Sequence, residues 1–140
     1  MKKTIFASAL LSLLALGCAA PSGAAAPALS GTAWMMALPK GSSCEVPPEV
    51  KFLKDGRIEG NAGCNDFTGT WKQDGDHLSV KYEPKTNRNC AKAFLEPERV
   101  FAAGLRGVAS VKPDGKGLLL LDAAGKTLVR VVPAEAGACD

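Results

Sequence analysis

The chain has few of the residues on which most enzyme sites depend. Its 140 residues contain a single histidine, His77, which follows an Asp-Gly-Asp turn, and we expect it at the surface. A Ser-His-Asp triad would have to use His77, and no nucleophile-elbow sequence accompanies it. Glu96 and Glu98 form a carboxylate pair, which we attribute to the positive end of a helix dipole. We therefore expect no catalytic residue and no cofactor.

The sequence also lacks an excess of positive charge. The formal charge is +3, but two lysines lie in the first 17 residues, so the remaining 123 residues hold 15 basic and 14 acidic side chains. Nucleic-acid binders and polybasic membrane-surface proteins both need clustered positive charge. The nearly neutral remainder excludes a basic nucleic-acid binder and argues against a polybasic membrane-surface protein. Its length favours one domain, and its large apolar residues are enough for one modest core.

No apolar run is long enough to cross a membrane. The longest, residues 5–16, has 12 uncharged residues, whereas a spanning helix needs roughly 20. Two lysines precede this run, which is typical of a secretory signal peptide. The sequence Ala-Leu-Gly-Cys at residues 15–18 resembles the bacterial lipobox, which implies cleavage before Cys18 and lipidation of its thiol. The open alternative is ordinary secretion, with cleavage near Ala19 or Ala20.

These features divide the chain into four parts. We interpret residues 1–17 as a lipoprotein signal peptide and residues 18–28 as the lipidated cysteine with a flexible Ala/Pro tether. Residues 29–133 form the folded domain, and residues 134–140 form a C-terminal tail. Ala19 after Cys18 favours sorting to the outer membrane of a Gram-negative cell. We expect a palmitate-bearing outer-membrane lipoprotein that faces the periplasm and is held by its N-terminal lipid.

Alternating apolar residues predict a mainly β fold. The alternating or apolar runs lie at residues 31–38, 50–52, 57–61, 67–72, 77–82, 108–112, 118–121 and 128–132. Asp55-Gly56 predicts a hairpin with a type I′ turn, and residues 74–76 and 113–115 predict two more turns. The run at residues 118–121 is typical of a strand buried on both faces. We expect a small bent antiparallel sheet or partly open barrel of about eight strands with one helix.

One segment has helical periodicity. Its apolar face consists of Val100, Phe101, Gly104, Leu105 and Val108. This spacing predicts a helix over residues 97–106, with a preceding turn from Ala91 as an option. Pro97 suits its first turn, and Gly107 suits the C′ position that ends it.

The most unusual stretch is residues 60–69, Gly-Asn-Ala-Gly-Cys-Asn-Asp-Phe-Thr-Gly. Three glycines among several Asx residues demand unusual backbone geometry, and the flanking strands indicate a tight connection or a bulged strand pair. A phosphate cradle is the weaker alternative, because the Walker pattern and a following helix are both missing. The structural motif that we single out consists of Gly60, Gly63, Cys64, Asn65, Phe67 and Gly69.

This motif and its surroundings resemble the META domain family, whose bacterial members include HslJ-type lipoproteins. Residues 29–34 resemble the family's opening strand, residues 52–60 its first hairpin, residues 63–69 its hallmark, residues 86–90 its second cysteine segment, residues 98–105 its helix and residues 118–129 its closing hairpin. Asp66, where a basic residue is common, and the extra cysteines Cys44 and Cys139 depart from the pattern. The resemblance implies a compact β-rich envelope domain linked with stress response or drug tolerance, and it supplies no catalytic residue.

Four cysteines remain if Cys18 is lipidated. An even number in an exported domain favours disulfides, and four cysteines allow three pairings. The family resemblance implies the pair Cys64–Cys90, which leaves Cys44–Cys139 as the second pair. Zinc is the weaker alternative because no Cys-x-x-Cys spacing occurs, and we expect no metal.

Three hypotheses of function follow. We expect a non-enzymatic, monomeric envelope lipoprotein that binds or supports another envelope protein and no nucleic acid. The alternative is an inhibitor of lysozyme or a protease, for which residues 41–45 are the candidate loop. A hydrolytic enzyme is the least favoured, because it needs a cluster of perturbed polar groups in a pocket.

Two residue groups have both a ligand-binding and a structural interpretation. Trp34 and Trp71 could stack on a ligand, but both lie in predicted strands, so packing is favoured. A loose basic run is interpreted as a solvated loop, with an anionic partner as the alternative. This run consists of Lys81, Lys85, Arg88 and Lys92.

Overall fold

The computed structural model describes residues 24–39 and 47–134. The strands are β1 (Thr32–Met36), β2 (Glu49–Phe52), β3 (Arg57–Asn61), β4 (Asp66–Asp74), β5 (His77–Pro84), β6 (Ser110–Asp114), β7 (Gly117–Leu121) and β8 (Thr127–Pro133), and the helix α1 (Lys92–Gly107) lies between β5 and β6. Each strand pairs antiparallel with the next, and β8 returns to β1, so the sheet closes into a barrel. The prediction of an eight-stranded β fold with one helix is confirmed. Cys18, Cys44, Cys139 and the loop at residues 41–45 lie outside the described residues.

The core lies inside this barrel. Alternate side chains of each strand point inward because the side-chain period of a strand is two. The largest buried side chains include Trp34, Val50, Phe52, Ile58, Phe67, Leu78, Leu118, Leu120 and Val131 from the strands and Phe101 and Leu105 from the helix. In β7, Leu118 and Leu120 are buried but Leu119 and Leu121 are only half-buried. The expectation that this strand is buried on both faces is therefore wrong, because only one face lines the barrel.

Two hairpins form where they were predicted, but their turns differ. Gly56 has a positive φ of 83° and Asp55 does not, whereas a type I′ turn needs two such residues. After β6, the chain turns at residues 115–116, and Pro113 pairs with Leu118 inside the ladder. Next to a two-residue turn, the N–H at this position points away from β7, so proline costs no ladder hydrogen bond.

The helix begins five residues earlier than predicted. It extends over Lys92–Gly107, so Pro97 lies inside it and the first turn contains no acidic residue. The assignment of Glu96 and Glu98 to the helix dipole is therefore wrong. The prediction of a left-handed Gly107 is also wrong, because this residue is helical and has no positive φ. A Cβ at Gly107 would lie 3.2 Å from Leu128 Cδ1, so close packing against β8 explains this glycine.

The helix occupies the place where β5 and β6 separate. β5 pairs with β4 from Phe67↔Pro84 to Asp74↔His77, but it pairs with β6 only at His77↔Ser110. Beyond that pair, α1 packs against β5, β7 and β8. Phe101 and Leu105 are fully buried and close this side of the barrel. The helix therefore covers the part of the barrel where β5 and β6 are not paired.

Residues before β1 pack on the rim of the barrel. Leu29 is buried, and its N–H donates to Gln73 Oε1 (3.0 Å), while Gln73 Nε2 donates to the Pro27 carbonyl (2.9 Å). Ala26 packs against the core. Contacts with the barrel thus begin before residue 29, within the segment expected to be a tether. Of the helices in the described part of the chain, none is long and apolar enough to span a membrane.

Candidate functional site

The glycine-rich motif is the connection between β3 and β4. Asn61 pairs with Asp66 across the two strands, and residues 62–65 make the turn. The Asn61 side chain stabilises it twice, because Oδ1 accepts from the Gly63 N–H (2.8 Å) and Nδ2 donates to Asp66 Oδ1 (2.8 Å). The motif is therefore the tight connection that the sequence predicts.

Glu98, in the second turn of α1, binds this connection directly. Its Oε2 accepts from the Cys64 N–H (2.8 Å) and the Asn65 N–H (2.6 Å), and its Oε1 accepts from Asn65 Nδ2 (3.0 Å). Desolvation alone would raise the pKa of Glu98, but the hydrogen bonds from Asn65 and Cys64 outweigh it and hold the pKa below its ordinary value. One carboxylate thus joins the helix to the β3–β4 turn.

Asn65 links the same turn to the segment that precedes the helix. It is only 9% exposed, and its Oδ1 accepts from Thr86 Oγ1 (2.9 Å) and the Arg88 N–H (2.5 Å). Thr86 Oγ1 in turn accepts from the Asp66 N–H (3.0 Å). Throughout the described ranges, no buried side-chain nitrogen or oxygen is without a hydrogen-bond partner. The polar groups of this cluster therefore satisfy one another.

Arg88 and a disulfide complete the cluster. Arg88 Nη2 lies 2.7 Å from Asp66 Oδ2, and its Nη1 donates to the Cys64 carbonyl (3.3 Å). Cys64 and Cys90 form a disulfide with their Cα atoms 6.0 Å apart, so the pairing implied by the resemblance is confirmed. Arg88 is exposed, as the solvated-loop interpretation predicts, but it also holds the segment before the helix against the β3–β4 turn. We call this cluster the polar hub: Asn61, Gly63, Cys64, Asn65, Asp66, Thr86, Arg88, Cys90 and Glu98.

The glycines of the motif are explained by close approach. Gly63 has a φ of 128°, and a Cβ there would lie 2.9 Å from the Phe94 carbonyl oxygen and 3.3 Å from the Glu98 nitrogen. Gly60 and Gly69 lie against neighbouring strands, where a Cβ would overlap a backbone carbonyl. Phe67 is buried and stacks on Tyr82 with 4.8 Å between ring centroids. Each residue of the motif thus has a role in packing or in backbone geometry.

The other candidate residues lie apart from the hub. His77 is exposed, and its Nε2 lies 3.8 Å from Asp76 Oδ1. Glu96 is also exposed and pairs with Arg99 (2.7 Å). Across residues 24–39 and 47–134, no three His, Cys, Asp or Glu residues are grouped so that they could hold a metal ion. The structure does not bring these side chains together.

Both tryptophans take part in packing. Trp34 is 8% exposed and its Nε1 donates to Thr32 Oγ1 (2.8 Å). Trp71 is half-buried, its Nε1 donates to the Leu53 carbonyl (3.1 Å), and its ring lies edge-on to Phe52 with 5.2 Å between centroids. Because both indole N–H groups are used inside the domain, the packing interpretation fits better than ligand stacking.

The fold and the hub define a class of protein, a small closed antiparallel barrel completed by one helix and held by a disulfide. The sequence profile of the META domain matches residues 27–135. The chain therefore belongs to the META domain family.

Two NMR structures share this fold. One, of a protein from Burkholderia xenovorans, has a TM-score of 0.58 and 16% identity and covers 77% of this chain and 85% of that one. The other has a TM-score of 0.56 and 22% identity, covering 75% and 91%. A crystal structure of a DUF4847 family protein from Bacteroides vulgatus overlaps with a TM-score of 0.49 and 20% identity, covering 64% and 60%. No curated protein sequence matches the chain.

Proposed function

We propose that this chain is a non-enzymatic binding module of the cell envelope, an HslJ-type lipoprotein anchored by a lipid on Cys18. The polar hub is the observation that carries the proposal. The hub contains the residue types from which a catalytic site could be built, but its carboxylates, amides and backbone N–H groups are used to join α1 and the segment before it to the barrel. A rigid domain of this kind is suited to binding a partner on its surface.

The N-terminal sequence supports export and anchoring. Two lysines, a 12-residue apolar run and the lipobox-like residues 15–18 occur in the order that lipoprotein processing requires. Under this proposal the mature chain begins at Cys18 in the outer membrane and faces the periplasm. A disulfide such as Cys64–Cys90 persists in an oxidising compartment of that kind.

Metabolic labelling with an alkyne palmitate tests the anchor. The wild-type chain should incorporate the label and partition with membranes, whereas Cys18→Ala should lose both properties. Cys139→Ala is the matched control, and it should keep both. Labelling that persists in Cys18→Ala, or is missing from the wild type, would contradict the proposal.

Complementation of a deletion strain tests the absence of catalysis. A deletion should increase sensitivity to envelope stress or antibiotics, and His77→Ala should restore resistance fully because His77 is the only histidine and is exposed. The wild-type chain should also capture an envelope protein in a pull-down after crosslinking. An unchanged deletion phenotype argues against the stress role, and failure of His77→Ala argues against a purely binding function.

A further inference from the structure

One edge of the barrel has backbone groups that no other part of the described structure pairs. The Leu78 N–H donates to the Ala109 carbonyl (3.0 Å), so Leu78 points its backbone groups away from β4. Because these directions alternate along a strand, Val80 and Tyr82 point theirs to the same side. β6 has already separated there, and within the described ranges neither Val80 nor Tyr82 has a hydrogen bond on that side.

The helix flanks this edge and leaves a groove. We call it the α1–β5 seam: Tyr82 and Pro84 of β5, and Leu95, Arg99, Ala102 and Arg106 of α1. The groove has a volume of about 230 Å³, with Tyr82 and Pro84 on one wall and the four helix residues on the other. These four residues share one helix face because they are spaced by four, three and four positions. The groove therefore lies between α1 and the unpaired backbone groups of Tyr82.

Positive charge dominates the groove. The Arg106 guanidinium lies 4.4 Å from the centroid of the Tyr82 ring and forms no ion pair within the described part of the chain. Arg99 has only an exposed partner, Glu96, at 2.7 Å. The one carboxylate that lines the groove, Glu98, already accepts three hydrogen bonds from the polar hub. Arg106 is therefore without a carboxylate partner in the described ranges, and the only ion pair of Arg99 lies at the surface, where an anionic ligand can compete with Glu96.

The remaining side chains favour a peptide. Leu95 is 39% exposed and offers an apolar contact beside Arg99. The Tyr82 hydroxyl makes no hydrogen bond to the described residues, and burial raises the pKa of Tyr82, so its phenol stays a neutral donor. Unpaired strand groups bind an extended backbone, and arginine forks bind carboxylates.

We propose that the α1–β5 seam binds an extended, acidic peptide segment of an envelope protein, which adds to the edge of β5 and places carboxylates on Arg99 and Arg106. This inference rests on the proposed binding function and names the chemistry of the partner. The peptide's N–H and C=O groups pair with those of Tyr82, and an acidic side chain reaches the guanidinium groups. Strand addition gives the affinity, and the arginines select the charge.

Fluorescence anisotropy with the full-length chain in neutral detergent tests the seam. The probe is a short labelled peptide that alternates threonine and glutamate, and its counterpart alternates threonine and lysine. The acidic peptide should bind, and it should bind more weakly as salt increases. Arg106→Gln should weaken it about tenfold or more, since a charge-assisted bond is lost.

Two matched pairs of variants control the experiment. Arg57→Gln removes the same charge from the β2–β3 hairpin and should leave the affinity within about twofold. Leu95→Glu places a carboxylate in the groove and should weaken binding at least as much as Arg106→Gln. Val100→Glu makes the same change of charge on α1 at a residue with similar exposure, 37%, outside the groove, and should have little effect.

Several outcomes would overturn the inference. These are equal binding of the lysine peptide, equal affinity in Arg106→Gln and Leu95→Glu, or displacement of the probe by millimolar acetate or phosphate, which would indicate a simple anion site. The proposed function fails separately. If Arg106→Gln still captures the same envelope protein as the wild type, the seam is wrong and the binding function stands.

Discussion

The polar hub and the α1–β5 seam both lie between the helix and the barrel, but they differ in how many of their polar groups have partners. At the hub, one carboxylate accepts three hydrogen bonds and one amide oxygen accepts two, and a disulfide closes the cluster. Along the seam, Arg106 forms no ion pair to a described residue, and Tyr82 leaves its outward backbone groups unpaired. The polar groups of the hub therefore have partners within the domain, whereas some of those along the seam do not.

This difference assigns two roles within a small domain: the hub stabilises the fold, and the seam is the proposed binding surface. The hub is part-buried around Cys64 and Asn65, so a donor or acceptor left without its partner there costs stability. A surface groove has no such cost, because water can satisfy its polar groups until a ligand does. Substitutions should therefore affect stability at the hub and binding at the seam.

Removing the disulfide should give the largest effect. Cys64→Ala with Cys90→Ala frees a connection that closes 26 residues and should cost roughly 3–4 kcal/mol of unfolding free energy. Urea denaturation of wild type and variant measures this. Reduction with dithiothreitol should lower the stability of the wild type but leave the variant less affected. A loss below about 1 kcal/mol would show that the hydrogen bonds hold the hub without the disulfide.

Truncation of Glu98 should have the next largest effect. Glu98→Ala leaves the Cys64 and Asn65 N–H groups without their acceptor, and we expect a loss of about 2–3 kcal/mol by urea denaturation. Glu96→Ala is the control on the same helix. Its pair with Arg99 is exposed and screened by solvent, so the midpoint of urea denaturation should hardly change. Equal effects of the two variants would mean that the helix does not depend on the hub.

Gly63 and Gly75 should respond differently to the same substitution. Both have positive φ, but a Cβ at Gly75 meets nothing within 4 Å, whereas at Gly63 it would lie 2.9 Å from the Phe94 carbonyl oxygen. Gly75→Ala should cost about 1 kcal/mol from the left-handed backbone alone. Gly63→Ala should cost about 1–2 kcal/mol more, because the helix must also move. If the two variants have equal midpoints in thermal unfolding, the close approach of the helix to Gly63 does not limit stability, and the prediction is wrong.

Acid should weaken the hub specifically. The folded-state pKa of Glu98 lies below its ordinary value despite desolvation, because Asn65 and Cys64 donate to the ionised form. Its contribution is therefore complete above the unfolded pKa of about 4.3 and is lost as the pH falls through the lower folded value. Urea midpoints measured between about pH 6 and pH 3 should fall less for Glu98→Gln than for wild type. Parallel curves would contradict the prediction.

The strands were predictable because their signal is local. The period of two places Val50 with Phe52 and Leu78 with Val80, and it needs no knowledge of the rest of the chain. The wrong details, such as the turn at Asp55-Gly56, depend on backbone angles that several turn types share. The eight strands could therefore be predicted, whereas the geometry of their turns could not.

The hub could be predicted only in part, because its partners are distant in sequence. Glu98 lies 33 or 34 residues from the groups that it binds, and a local interpretation assigned it to a helix dipole. Because Pro97 was interpreted as a first-turn residue, the predicted helix began there, and Glu98 then fell in the first turn, where a helix dipole would explain it. The implied Cys64–Cys90 pair was the one signal that could have found the hub, since it brings Arg88 next to Asp66.

Arg106→Gln should have the smallest effect on stability and so gives the sharpest test of the comparison. Arg106 lies over Tyr82 at an exposed position, and such a cation–π contact contributes about 0.5–1 kcal/mol. The variant keeps part of the side chain over the ring, so the free energy of unfolding in urea should change by less than that, while acidic-peptide binding weakens about tenfold or more. If Arg106→Gln lowers the free energy of unfolding as much as Glu98→Ala does, the seam is a second structural contact, and Arg106 stabilises the fold.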